Sequence, residues 1–306
     1  MDDAMLVITN ADAGTADEEA TAAAMTVLEE EADVEVRATA SPDQLDDVLD
    51  GAGDQRIVVA GGDGSIHAIV AALHRRGELA GRTLGLIPLG TGNDFARTLG
   101  IPLEPEAAAR ALLDGTPRPL DLVVDDAGDI TVNGVHVGAS AEAGKKGALW
   151  KERLGSVGVG KVNLGRLGYP IGALQTAIDP PTLRVRVSVD DVVVADTDRQ
   201  VLLVAIGNGA SVGGGTELTP DAVPDDGEVD VLVASPVSAW ARVGLALRLP
   251  LRRHEEHADA TIVRGRVVQV EGTPFDCNSD GEISGPVRSR TWRVLPAAYA
   301  MVVPPQ

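Results

Sequence analysis

The segment Arg56-Ile-Val-Val-Ala-Gly-Gly-Asp-Gly-Ser65 constrains this chain more than any other. An apolar strand runs directly into glycines, and a helix opens from Ser65. Glycine lets a backbone approach an anion closely, and a helix N-terminus offers N–H groups and a favourable dipole. A second loop, Leu89-Gly-Thr-Gly-Asn-Asp94, follows the next predicted strand, Thr83 to Ile87. In a parallel sheet both loops fall at the carboxyl edge, where ligands bind. The pair predicts a phosphate site built from Gly61, Gly62, Asp63, Gly64 and Ser65 together with Gly90, Thr91, Gly92, Asn93 and Asp94.

The surrounding pattern supports a parallel sheet. Met5 to Thr9 and Val34 to Ala38 read as strands, and Asp17 to Glu31 as an Ala-rich acidic helix. Ser41 opens another helix, with Pro42 in its first position and Gln44 completing a capping box; Gly51 closes it. The helix after the first glycine loop shows Ile66, Ile69, Val70 and Leu73 on one face and ends at His74, Arg75, Arg76 and Gly77. Short helices are predicted from Asp94 to Gly100 and from Glu106 to Leu113. Strand–helix alternation of this kind implies a sheet covered by helices.

After about residue 120 the pattern changes. Leu183 to Val189, Val192 to Ala195, Val201 to Ile206, Val229 to Ala234, Ala260 to Arg264 and Val267 to Glu271 are short, Val-rich and separated by Gly, Pro and Asp. They predict a mostly β second domain, a sandwich or open barrel. Val237 to Leu249 is its one clear helix candidate. The expected division is residues 1–122, with 294–306 returning to them, and residues 123–293.

Composition narrows the function. There are 46 acids against 26 bases, a net charge of -20, spread along the whole chain. That reads as adaptation of the surface to strong salt, and it argues against nonspecific nucleic-acid binding, which needs a basic footprint. Before residue 145 there is no lysine, so a bound triphosphate must be neutralised by backbone amides, Mg²⁺ and arginine. A single cysteine, Cys277, excludes an intramolecular disulfide and fits a reducing cytoplasm. The N-terminus lacks a signal-peptide layout, and no apolar run is long enough to span a bilayer.

Three motif look-alikes fail on their own chemistry. Gly155 to Val162 has the spacing of a P-loop but puts Val162 where a Mg²⁺-holding hydroxyl belongs. Gly90 to Phe95 begins like a dinucleotide fingerprint but has Phe95 at the third glycine. Asp276 to Gly281 begins like a calcium loop but reaches Val287 at the twelfth position.

Taken in order, the motifs resemble those of the bacterial diacylglycerol kinase and YegS-type lipid kinase family. Gly61-Gly-Asp-Gly-Ser65 is similar to its GGDGT signature, and Pro88 to Arg97 to its second signature. Gly207 to Gly215, Pro220 to Asp230 and Asp280-Gly-Glu282 resemble its later motifs, so the likeness runs from Ile8 to about Pro304. The resemblance implies an α/β nucleotide-binding domain of the NAD kinase type followed by a β-sandwich-like domain, with Val294 to Val303 returning to the first. It implies ATP and Mg²⁺ as cofactors and a lipid alcohol at the membrane surface as partner.

The resemblance also implies residue roles. Asn10 to Gly14, Thr39, Gly61 to His67 and Thr91 would line the ATP site. Glu282 would accept the lipid hydroxyl proton, with the catalytic Asp280 beside it. Asp226, with the carbonyls of Val223 and Glu228, would hold a structural Mg²⁺. Asp63 would orient the catalytic metal, and Asp121 would join that network. The chain departs from the pattern at Asn10-Ala-Asp-Ala-Gly14, which lacks the usual Pro, and across residues 139–168.

All four lysines lie between Lys145 and Lys161, and Val237 to Arg253 mixes Trp240 and leucines with arginines. Both segments are expected to face lipid, or to be an ordinary loop and core helix. Two other functions compete with a lipid kinase. An NAD kinase-like enzyme shares the GGDG loop, but its Asn-Glu pair is missing here. A silent nucleotide- or lipid-binding module would have no need of Asp280 and Glu282. The sequence fixes neither the lipid nor the oligomeric state.

Overall fold

The computed structural model describes residues 4–11, 15–138, 182–236 and 258–305. Its elements in chain order are β1 (Met5–Asn10), α1 (Thr15–Leu28), β2 (Val34–Thr39), α2 (Pro42–Asp50), β3 (Arg56–Gly61), α3 (Asp63–Arg75), β4 (Thr83–Pro88), α4 (Asp94–Thr98), α5 (Pro105–Asp114) and β5 (Thr116–Asp125). There follow β6 (Ile130–Thr131), β7 (Gly134–Gly138), β8 (Val185–Val189), β9 (Val192–Ala195), β10 (Leu203–Gly207), β11 (Ser211–Val212), β12 (Thr216–Glu217) and β13 (Val229–Ala234). The chain ends with β14 (Ala260–Gly265), β15 (Val267–Ser279) and β16 (Glu282–Val303).

Two compact units result: Met1–Leu122 with Pro224–Gly227 and Leu295–Gln306, and Val123–Val223 with Glu228–Val294. In the first unit β2, β1, β3 and β4 are parallel neighbours in that order. The chain's end adds to them, since Ala300 and Met301 of β16 pair in parallel with Thr83 and Leu84 of β4. This is the expected C-terminal return. β3 and β4 are buried along nearly their whole length because helices cover the sheet, so they read as unbroken apolar runs. Gly85 on β4 has a packing reason: a Cβ there would meet Leu112 Cδ1 of α5 at 2.7 Å.

The helix signals were read with small shifts. Ser41 Oγ accepts the Gln44 N–H, while the Gln44 side chain reaches one residue further back than a capping box requires, to the Ala40 N–H. α3 begins at Asp63, not Ser65, because the Gly62 carbonyl already accepts from Ser65 and Ile66. The last glycines of the motif are therefore part of the helix.

The second unit is antiparallel, in the order β14, β13, β10, β7, β15, β16, with β8 on β15 and β9 on β8. Its core is chiefly valine, closed by Phe275, Cys277 and Trp292. Two hairpins turn on tight aspartate loops. Asp190-Asp191 joins β8 to β9, and Asp280-Gly281 joins β15 to β16, all four residues at positive φ. That is the backbone of a type I′ turn, which matches strand twist.

β5, β7 and the full lengths of β15 and β16 were not expected. β5 carries Pro117 and Pro119, and prolines two apart remove donors from one side of a strand only. At Gly272 and Gly285 the β15–β16 pairing shifts register and continues. The predicted Val237 to Leu249 helix, the Lys145 to Lys161 stretch and Gly14 lie outside the described residues.

Candidate active site

The two glycine loops sit at the carboxyl ends of adjacent strands, with Gly61 paired to Pro88 and the Leu89 N–H bonded to the Gly61 carbonyl. They then touch. A Cβ on Gly62 would lie 2.9 Å from Gly90 Cα, and one on Gly90 would lie 2.5 Å from Gly62 Cα. Gly61 is equally crowded, since its Cβ would meet Ser65 Oγ. Side chains are thus excluded where the backbone must present N–H groups to a ligand.

Asp63 joins the loops chemically. Its carboxylate accepts the N–H of Asp94 at 3.1 Å and of Phe95 at 3.0 Å, capping α4. Asn93 enters α4 in the left-handed conformation, φ 53°, and donates from Nδ2 to the Gly90 carbonyl at 2.7 Å. Its buried Oδ1 has no hydrogen-bond partner. A buried acceptor left unbonded beside the two glycines is costly, and a donor on a bound ligand or its water would satisfy it. Thr91 is exposed at the loop tip.

Asn10 and Thr39 meet at the same edge, paired at the ends of β1 and β2, with the Ala11 N–H bonded to the Thr39 carbonyl. His67 lies about one turn into α3 and is half-buried. Both glycine loops, Asn10 and Thr39 thus lie at strand ends that point the same way. The crowded glycines fit the phosphate-bearing ligand that the sequence implied, while Asn93 Oδ1 would call for a donor such as a metal-bound water.

In the second unit, Glu282 is the first residue of β16, exposed and paired with Ser279 across the Asp280-Gly281 turn. Asp280 is differently placed. Its carboxylate accepts the N–H of Val132 at 2.6 Å and those of Asn133 and Gly134 at 2.9 Å. Around it lies a polar knot that sequence reasoning missed. Asn133 donates to the Ser211 carbonyl and Asn208 to the Val132 carbonyl, while the Asn133 carbonyl accepts from Asn208 and Gly209. Asn133, Asn208, Ser211, Thr219 and Asn278 are all buried. Their signal was three separate asparagines at strand ends, legible only once the strands are paired.

The acids around residue 226 divide by partner. Asp225 makes a two-pronged ion pair with Arg118, at 2.5 and 2.6 Å. Glu228 lies 3.5 Å from Arg264. Asp121 is 2% exposed, and its two oxygens accept from Gly227 at 2.6 Å and Ala297 at 2.8 Å, so it ties three chain segments together. Asp226 is exposed, and so is Val223. Among the described residues no three His, Cys, Asp or Glu side chains form a metal cage. Mg²⁺ does not require one, since it keeps waters and is held by one or two carboxylates plus substrate phosphates.

Comparison with known proteins identifies the family. Residues 4–124 match the diacylglycerol kinase catalytic domain, and residues 156–303 match the YegS C-terminal NAD kinase beta sandwich-like domain. Two Pseudomonas aeruginosa proteins named "Probable lipid kinase YegS-like" are 36% and 35% identical over 263 residues, 83% of this chain and 78% of each of theirs. The chain belongs to the diacylglycerol kinase and YegS-like lipid kinase family. A crystal structure described as "a putative diacylglycerol kinase" from Bacillus anthracis str. Sterne shares the fold, with TM-score 0.76 at 21% identity over 99% of this chain and 96% of that one. The YegS-like fold thus accounts for both halves: an α/β domain carrying the glycine loops and a β-sandwich-like domain carrying the Asp280-Gly281-Glu282 hairpin. Among the described residues no helix is long and apolar enough to cross a membrane.

Proposed function

We propose that this chain is an ATP- and Mg²⁺-dependent lipid kinase that transfers the γ-phosphoryl group to the hydroxyl of a diacylglycerol-like lipid at a membrane surface. The observation that carries the reading is the contact between Gly62 and Gly90, which turns two strand-end loops into one side-chain-free cradle. Family membership supports phosphoryl transfer to a lipid.

Phosphoryl transfer needs positioning and charge neutralisation more than covalent chemistry. The backbone of Gly61 to Ser65 and of Gly90 to Asp94 would hold the phosphates, with Asn10, Thr39 and His67 lining the nucleotide. Mg²⁺, when bound, would supply the positive charge this lysine-poor domain lacks. Asp63 would orient its waters, and Asp226 with the carbonyls of Val223 and Glu228 would hold a second, structural ion. Glu282, exposed on its strand, would accept the proton of the lipid hydroxyl.

The test is incubation with γ-labelled ATP and Mg²⁺ against dioleoylglycerol, a long-chain base, an isoprenoid ether-lipid alcohol and NAD, at low and high salt. Label in a lipid is expected. Label in NAD alone would replace this reading with a nucleotide kinase, and label in none would leave a binding module.

A further inference from the structure

We infer that Asp280 is a positioning residue and not the base: its carboxylate locks the hairpin that presents Glu282. The inference rests on the lipid kinase reading for its consequence, and on geometry alone for its cause.

A general base needs a lone pair within hydrogen-bond reach of the proton it takes. The Asp280 carboxylate is engaged by backbone N–H groups instead. Both oxygens accept backbone N–H groups, from Val132, Asn133 and Gly134, at 2.6 to 2.9 Å. Charge-assisted bonds of that length are the strong class. The backbone repeats the tie, because the Asp280 N–H bonds the Gly134 carbonyl at 3.1 Å. On the other flank Asn278 Oδ1 accepts the Gly281 N–H at 2.8 Å. The turn is therefore pinned from both sides.

The turn held in this way is a tight one. Asp280 has φ 52° and Gly281 φ 103°, in a two-residue loop that leaves Ser279 and Glu282 directly opposite. Glu282 is two residues from the clamped carboxylate and opens the strand that this turn feeds, so its backbone position depends on Asp280. The clamp ends on residues 132–134, which the polar knot fixes to 208–211. Removing the Asp280 carboxylate would leave three donors facing nothing and release the hairpin.

The experiment compares Asp280→Asn, Gly281→Ala and Glu282→Gln. Asn tolerates the left-handed turn but presents one acceptor oxygen to three donors. Faster amide hydrogen exchange at Val132, Asn133 and Gly134 is expected in Asp280→Asn, whatever lipid turns over. With the lipid that accepts label, kcat should fall about 10- to 100-fold, with KM for ATP unchanged and the acid limb of the pH profile kept. Gly281→Ala strains the same turn without touching the clamp, and should lower kcat with the three amides still protected. Unchanged exchange and turnover in Asp280→Asn would overturn the inference. So would an Asp280→Asn enzyme that has lost the acid limb while Glu282→Gln keeps it, since Asp280 would then be the base. Absence of label in every lipid defeats the kinase reading, while the exchange measurement still judges the clamp.

Discussion

Gly62 and Gly90 face each other across the ends of β3 and β4 so closely that a methyl on either would overlap the other's Cα. Neither glycine has a positive φ. What both supply is closeness: with no Cβ in the way, the two loops form one surface.

Gly90→Ala is the direct probe of that contact. The new Cβ would lie 2.5 Å from Gly62 Cα and 2.8 Å from Asn93 Oδ1, both in well-fixed positions. Overpacking of this sort costs about 1–3 kcal/mol, and here it falls on the cradle. ATP affinity should drop about 5- to 140-fold, because 1.4 kcal/mol is tenfold in an equilibrium constant. Calorimetric titration of ATP against variant and parent checks this; equal affinity would separate the contact from nucleotide binding.

Glu282→Gln keeps the size of the exposed side chain and removes its basicity. General-base loss should lower kcat by about 10²- to 10⁴-fold, with ATP binding and melting temperature unaltered. Turnover at the parental rate would take the proton-accepting role away from Glu282.

Asp121→Ala tests the tie between β5, the 224–227 turn and the returning C-terminus. The buried carboxylate holds the N–H groups of Gly227 and Ala297. Each donor left unsatisfied costs about 1–3 kcal/mol, so a loss of about 2–4 kcal/mol is expected in urea unfolding. Asp121→Asn should recover part of it by keeping one acceptor oxygen.

Cys277 gives a pH prediction. Burial pushes its thiol up to about 12 from the ordinary 9.0. The folded state therefore keeps its proton where the unfolded state releases one. The contribution is fully present below pH 9.0 and is lost as pH climbs toward 12. Cys277→Ser should be less sensitive than the parent over that window in urea unfolding. Iodoacetamide should leave Cys277 unlabelled at neutral pH until the chain is unfolded; rapid native labelling would contradict its burial.

Much of the fold was legible because its signals are local. Apolar runs of strand length marked β1 to β4, β8, β9 and β13, and Ser41, Pro42 and Gln44 marked the start of α2. The missed elements had misleading local chemistry. Prolines obscured β5, and glycines obscured the continuity of β15 and β16. Within the site, the two glycine loops were readable, but Asp63 as their link was not: it accepts from residues 31 and 32 positions away.

By itself the sequence determined the parallel α/β half, the phosphate-type loops, the Val-rich β half and the turn chemistry of Asp280-Gly281. These follow from periodicity, glycine and turn preference, which act over a few residues. Tertiary structure alone decided that Gly62 abuts Gly90, that Asp121 ties three segments, and that Asp280 points into residues 132–134 some 146 positions earlier. Each depends on donors and acceptors brought together by strand pairing, and no local propensity encodes which distant N–H a carboxylate will meet.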